Sequence, residues 1–208
     1  MRYHTLLLRF PAPLGNRPYA RSWRVMRGNE FLYREVQHVR QPWIWALVMG
    51  ISGFQWYVFV VQVLQGRPVG NNPASNTLAI AFWILFGVIL PVFFLSVRLI
   101  VEVRGDGIYI RFTPFHLAPR VIPFDRVHEA KAVTYRPIWE YGGWGIRVGK
   151  QEIAYTMSGQ NGVLIELESS WGKTAAKRVL LGTRRPDALL RAIRRGIATR
   201  RPPPDEAD

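Results

Sequence analysis

Two stretches of this chain lack any polar stripe. Trp43–Leu64 (WIWALVMGISGFQWYVFVVQVL) and Thr77–Val97 (TLAIAFWILFGVILPVFFLSV) run 22 and 21 residues without an ionisable side chain. At about 1.5 Å per residue each forms a helix of roughly 31–33 Å, enough to cross a hydrocarbon core of about 30 Å. Soluble core helices of this length normally carry a polar stripe, so the pattern predicts two membrane spans. The first begins too far along the chain, runs too long and lacks the small-residue cleavage site of a signal peptide. Between them, Gln65–Asn76 (QGRPVGNNPASN) is rich in Gly, Pro and Asn and reads as a turn-forming loop. Inside the spans the polar residues are Ser52, Gln55, Gln62 and Ser96, with Ala46-x-x-x-Gly50 as a small-residue pair. Gln55 and Gln62 share a helix face, which predicts an amide hydrogen bond within the hairpin or between subunits. Pro91 is placed to kink the second span.

Before the first span, Leu32, Val36, Val39 and Trp43 recur at helical spacing, with Arg34, Glu35, His38 and Arg40 on other faces. This predicts an amphipathic helix over Phe31–Trp43, lying in the interface and turning into the bilayer near Pro42. His38 then reads as a solvated interfacial side chain. After Val97 the period drops to two. Leu99, Val101 and Val103 alternate with charged residues, Gly105-Asp106-Gly107 forms a tight hairpin, and Ile108, Ile110 and Phe112 alternate on the return. Further strands are expected at 119–124, 129–135, 144–148 continuing towards 153–157, 162–168 and 177–183. From Pro186 to Ile197 the helical period returns, with Leu189, Leu190, Ile193 and Ile197 opposite Arg191, Arg194 and Arg195. Pro186 suits the first helical position and Asp187 the positive end of the dipole.

Composition adds an orientation. The 208 residues carry 28 basic and 14 acidic side chains, a formal charge of +14, and 24 of the basic residues are Arg. The first 42 residues hold eight Arg, the interhelical loop one, and the chain beyond Val97 the other nineteen basic residues. The positive-inside rule puts both ends in the cytoplasm, at the cell (plasma or inner) membrane, and the short loop outside. A nucleic-acid face would interleave basic residues with exposed aromatics on one module. Topology accounts for the charge without one, so nucleic acid is not an expected partner. Residues 1–25 hold five Arg and no acid and read as a flexible basic tail. A short strand over Tyr3–Phe10 and a translation start at Met26 are alternatives.

Seven short antiparallel strands followed by one amphipathic helix resemble the pleckstrin-homology fold. The stretches FxYREVQHVRQPW, YGGWGIRVG (141–149), AYTMSGQNGV (154–163) and LLGTRRPDALLRAI (180–193) resemble a bacterial family of unknown function: two-helix membrane proteins with a C-terminal pleckstrin-homology-like domain. The resemblance implies a membrane α + β protein, a two-helix transmembrane hairpin followed by an antiparallel β-barrel of about seven strands closed by a C-terminal helix. The segments would be a flexible basic N-terminal part (1–30), the interfacial helix and hairpin (31–97, spans 43–64 and 77–97), the cytoplasmic domain (98–199) and a disordered tail (200–208). The family brings no established activity or catalytic residues.

The chemistry is sparse. There is no cysteine, and His4, His38, His116 and His128 lie outside metal-ligand spacing of one another. No nucleophile elbow, P-loop or HExxH is present, so no catalytic residue, metal or cofactor is expected. Gly142, Gly143, Gly145 and Gly149 read as a bend between strands where a Cβ would clash. A phosphoinositide site would resemble a long basic loop between the first two strands of the domain. The loop here is Arg104-Gly105-Asp106-Gly107, too short and tipped by a carboxylate. The expected function is therefore a non-catalytic protein-interaction or assembly module, tied to the bilayer, binding an unknown protein or a second copy of itself. A peripheral module sensing anionic lipid without phosphoinositide specificity is the rival. The candidate partner contacts are Trp139, Tyr141, Trp144 and Arg147, aromatic or cationic groups in a Gly-containing region. For Trp139 and Trp144 the alternative is burial at one end of the barrel, and for Arg147 an outward strand position.

Overall fold

A computed structural model describes residues 31–172 and 176–200. The expectations for the N-terminal segment and for the tail beyond Arg200 fall outside these residues. The elements in chain order are β1 (Tyr33–His38), α1 (Pro42–Leu64), α2 (Asn76–Ser96), β2 (Arg98–Arg104), β3 (Gly107–Thr113), β4 (Arg120–Pro123), β5 (Val127–Thr134), α3 (Pro137–Tyr141), β6 (Gly145–Val148), β7 (Glu152–Thr156), β8 (Asn161–Trp171), β9 (Ala176–Gly182) and α4 (Pro186–Arg200).

The segment before α1 is a strand, which corrects the expected amphipathic helix. β1 pairs antiparallel with β2, from Tyr33 opposite Val103 to His38 opposite Arg98. Its inward side chains are Tyr33, Glu35 and Gln37, all buried, while Arg34 and His38 are exposed. Apolar spacing pointed to a helix because the buried face of this strand is polar. It is tolerated because Tyr33, Glu35 and the amide nitrogen of Gln37 are hydrogen-bonded, which leaves Gln37 Oε1 as the one side-chain polar atom of this face without a partner among the described residues. The Glu35 carboxylate accepts from the Tyr33 hydroxyl at 2.5 Å, from the Thr183 hydroxyl and from the Arg184 backbone N–H at 3.2 Å. Gln37 Nε2 donates to the Gly182 carbonyl at 2.7 Å.

The strands form two sheets, β1-β2-β3-β4 and β5-β8-β9-β7-β6. This differs from one closed barrel of about seven antiparallel strands. β9 returns from its hairpin with β8 and inserts between β8 and β7. Two reversals of direction after β7 make β7 and β9 parallel. Leu99, Val101, Ile110, Ile153, Ile165 and Val179 from both sheets enter one core with Leu189 and Ile193 of α4. The helix face expected from sequence is the one that packs, and its arginines point outward. Gly196 of α4 lies against Phe124, where a Cβ would fall 2.2 Å from the ring.

Helices α1 and α2 are both long and apolar enough to cross a membrane, and only 11% of the most apolar window of each is buried. They pack on each other through hydrogen bonds. Gln62 Nε2 donates to the Ala74 carbonyl at 2.6 Å, the within-hairpin form of the expected amide bond. Gln55 is half-buried. Ala46 and Gly50 are exposed and lie outside this contact. Each helix contains a π-helical stretch, Phe59–Leu64 and Trp83–Ile89. In the second, Pro91 has no N–H for the carbonyl a turn earlier. Ser52 Oγ donates to the Phe86 carbonyl at 2.8 Å, and Trp56 Nε1 to that of Gly87 at 3.2 Å.

Candidate interaction surface

Between β5 and β7 the chain builds a short helix and an edge strand. Pro137 begins α3, where its missing N–H costs nothing. Gly142 ends the helix at φ 67°, with its N–H on the Ile138 carbonyl and that of Gly143 on the Pro137 carbonyl. Gly143 and Gly145 continue at φ 116° and 121°. A Cβ at Gly142 or Gly145 meets nothing within 4 Å. At Gly142 and Gly145 positive φ, rather than the expected steric clash, is therefore what favours glycine, whereas a Cβ at Gly149 would fall 3.3 Å from the Glu152 carbonyl oxygen.

Three of the four candidate contacts hold this segment together. The Tyr141 hydroxyl donates to Glu152 Oε1 at 2.5 Å, and its ring meets Tyr135 edge-on. Burial, then the Glu152 carboxylate, pushes the Tyr141 phenol well above its usual range. Glu152 also pairs with Arg178 at 3.4 Å. Trp144 is half-buried, with Nε1 donating to the Gly159 carbonyl at 3.1 Å. Arg147 is exposed and reaches back to the Gly142 carbonyl at 3.0 Å and that of Trp144 at 3.4 Å.

Trp139 is different. It is 86% exposed on α3, next to Ile138, and Val148 at the end of β6 is exposed as well. β6 is the outermost strand of its sheet and pairs only with β7 among the described residues. One large indole thus stands exposed on the short helix that leads into an edge strand, in a segment latched by three side chains. Ile138 and Val148 were missed in the sequence because isolated apolar residues in short elements look like core.

Elsewhere, His116 is buried. Its Nδ1 accepts from the Phe112 backbone N–H at 3.3 Å and its ring meets Tyr155 edge-on. Burial, then Arg120, pulls this imidazole below its usual pKa, which suits the neutral form that an accepting Nδ1 requires. His38 is exposed at the end of β1. Among the described residues no three His, Asp or Glu side chains gather as metal ligands.

Arg104, the cation nearest the β2–β3 hairpin, is committed to Glu102 at 2.5 Å and lies over the Tyr109 ring. The most densely bonded polar cluster is Tyr33, Glu35 and Thr183. There Arg185 N–H also donates to Thr183 Oγ1 at 3.0 Å, just before α4. The sequence signal for it was the alternation Tyr33-x-Glu35-x-Gln37 together with Thr183-Arg184-Arg185-Pro186.

No curated protein and no solved structure matches this chain. A family profile matches residues 26–199, and the chain belongs to that family, DUF6141, a family of unknown function.

Proposed function

We propose that this chain is an integral membrane protein that crosses the bilayer with α1 and α2. Its N- and C-terminal regions are cytoplasmic, and its two sheets with α4 serve as a pleckstrin-homology-like, non-catalytic docking module. The partner is a protein that presents an extended segment to the β6 edge and an apolar side chain to Trp139. Strand addition supplies backbone hydrogen bonds, and the indole supplies an aromatic anchor. The observation that carries this reading is the 86% exposure of Trp139 on the helix that leads into β6, a strand whose outer edge is unpaired among the described residues.

The lipid-sensing alternative is weakened by Arg104, whose guanidinium is already held by Glu102 and Tyr109. The test is photo-crosslinking in native membranes from full-length protein carrying a photoreactive residue at position 139, 148 or 105. A discrete protein adduct at 139 and 148, absent at 105, supports the reading. Loss of the co-purifying protein in Trp139→Ala supports it further. An unchanged co-purifying set in that variant overturns it.

A further inference from the structure

β3 ends at Thr113, which pairs with Arg98, two residues past the end of α2. The Thr113 hydroxyl donates to the Ser96 carbonyl at 3.1 Å. The loop Pro114–Pro119 therefore starts beside the end of α2. Within it His116 turns inward, with its N–H on the Phe112 carbonyl at 2.7 Å and its imidazole buried. Its neighbours consequently turn outward. Phe115 is 60% exposed and Leu117 92% exposed. The Phe115 ring meets the Phe93 ring edge-on at 6.0 Å. Phe93 precedes the end of α2 by three residues, about 4.5 Å along the axis. Phe115 thus lies alongside the last turn of the helix rather than beyond it.

We infer that the β3–β4 loop inserts Phe115 and Leu117 into the acyl-chain boundary of the leaflet that holds the end of α2, a second point of attachment for the β-sheet domain. The inference rests on the membrane reading above. The occupant is lipid because the patch is continuous with the outward apolar side chains of α2, Phe93 and Leu95. Arg40 before α1, Arg98 after α2 and Arg120 after the loop are exposed cations around the same end of the molecule. That is the place for anionic headgroups. His116 fixes the loop from inside, so the two apolar residues are presented by a braced turn.

The sequence contains no cysteine, so Leu117→Cys, Leu95→Cys and Gly105→Cys variants of the full chain each take a single environment-sensitive fluorophore. Gly105 lies in the β2–β3 hairpin, at the opposite end of those strands from Thr113, and has room for a Cβ. The labelled proteins are reconstituted into phosphatidylcholine–phosphatidylglycerol vesicles with and without doxyl-labelled lipid. The expected result is blue-shifted, lipid-quenched emission at 117 and 95, and unshifted, unquenched emission at 105. Quenching at 95 with position 117 behaving like 105 overturns the loop insertion and leaves the spans standing. No quenching at any position overturns the membrane reading and the loop insertion with it.

Discussion

The carboxylate of Glu35 accepts a hydrogen bond from the hydroxyl of Thr183, 148 residues later in the chain. One partner lies just before the apolar hairpin, the other between the last strand and the last helix. The hairpin is therefore an insertion between β1 and β2 of one sheet, and this contact closes the domain around it. Removing one partner strips a buried polar cluster of one of its hydrogen bonds. Glu35→Ala is expected to cost about 2–4 kcal/mol and Thr183→Val about 1–3 kcal/mol. The double variant should lose less than the sum, because both act on one contact. Chemical unfolding in detergent checks this, and additive losses would show that the two groups are independent.

Two of the buried tyrosines, Tyr33 and Tyr135, should respond to substitution with opposite sign. Tyr33 donates to Glu35, so Tyr33→Phe is expected to destabilise by about 1–2 kcal/mol. The Tyr135 hydroxyl is buried without a hydrogen-bond partner among the described residues. Tyr135→Phe removes an unsatisfied group and is expected to be neutral or stabilising by up to about 1 kcal/mol. Equal losses in both variants would overturn the contrast.

Alkaline pH tests the same pair. Burial pushes Tyr135 up to about 12, and burial with the Glu35 hydrogen bond does the same for Tyr33. The unfolded phenol ionises near pH 10. Between the two values the folded state holds more protons, so stability is complete below pH 10 and falls as pH rises towards 12. The thermal midpoint should drop over that window, less steeply in Tyr33→Phe and in Tyr135→Phe. A pH-independent midpoint would contradict the sign.

Gly196 lets α4 settle onto Phe124. A Cβ there would fall 2.2 Å from the ring, and Phe124 is buried. Gly196→Ala therefore costs about 1–3 kcal/mol through overpacking, despite the better helix propensity of Ala. Phe124→Leu in the same background should restore part of the loss. A simple gain in thermal midpoint for Gly196→Ala would mean that the ring gives way freely.

What could be read from sequence divides along a physical line. The hairpin, the strands after Val97 and the packed face of α4 were legible because their signal is the placement of apolar side chains. β1 was not. Its inward residues are Tyr33, Glu35 and Gln37, and the partners that make them tolerable lie near Thr183. At the candidate surface the aromatic-rich segment was visible, but the division of labour within it was not. Tyr141, Trp144 and Arg147 turn inward or back because Glu152, the Gly159 carbonyl and the Gly142 carbonyl wait across loops. Of the three candidate aromatics only Trp139 is left facing out.

The helical hairpin supplies the last prediction. Pro91 cannot donate to Gly87 in α-helical register or to Phe86 in π-helical register. These are the two carbonyls that Ser52 and Trp56 reach from α1. The pairing explains why a serine occurs in an otherwise apolar stretch. Ser52→Ala and Trp56→Phe are each expected to weaken the hairpin by about 0.5–1.5 kcal/mol. Pro91→Ala restores a backbone donor and should make Ser52→Ala cheaper than it is in the parent. Thermal unfolding of the four variants in one detergent measures this coupling. A Ser52→Ala loss that is the same with and without Pro91 would detach the serine from the proline.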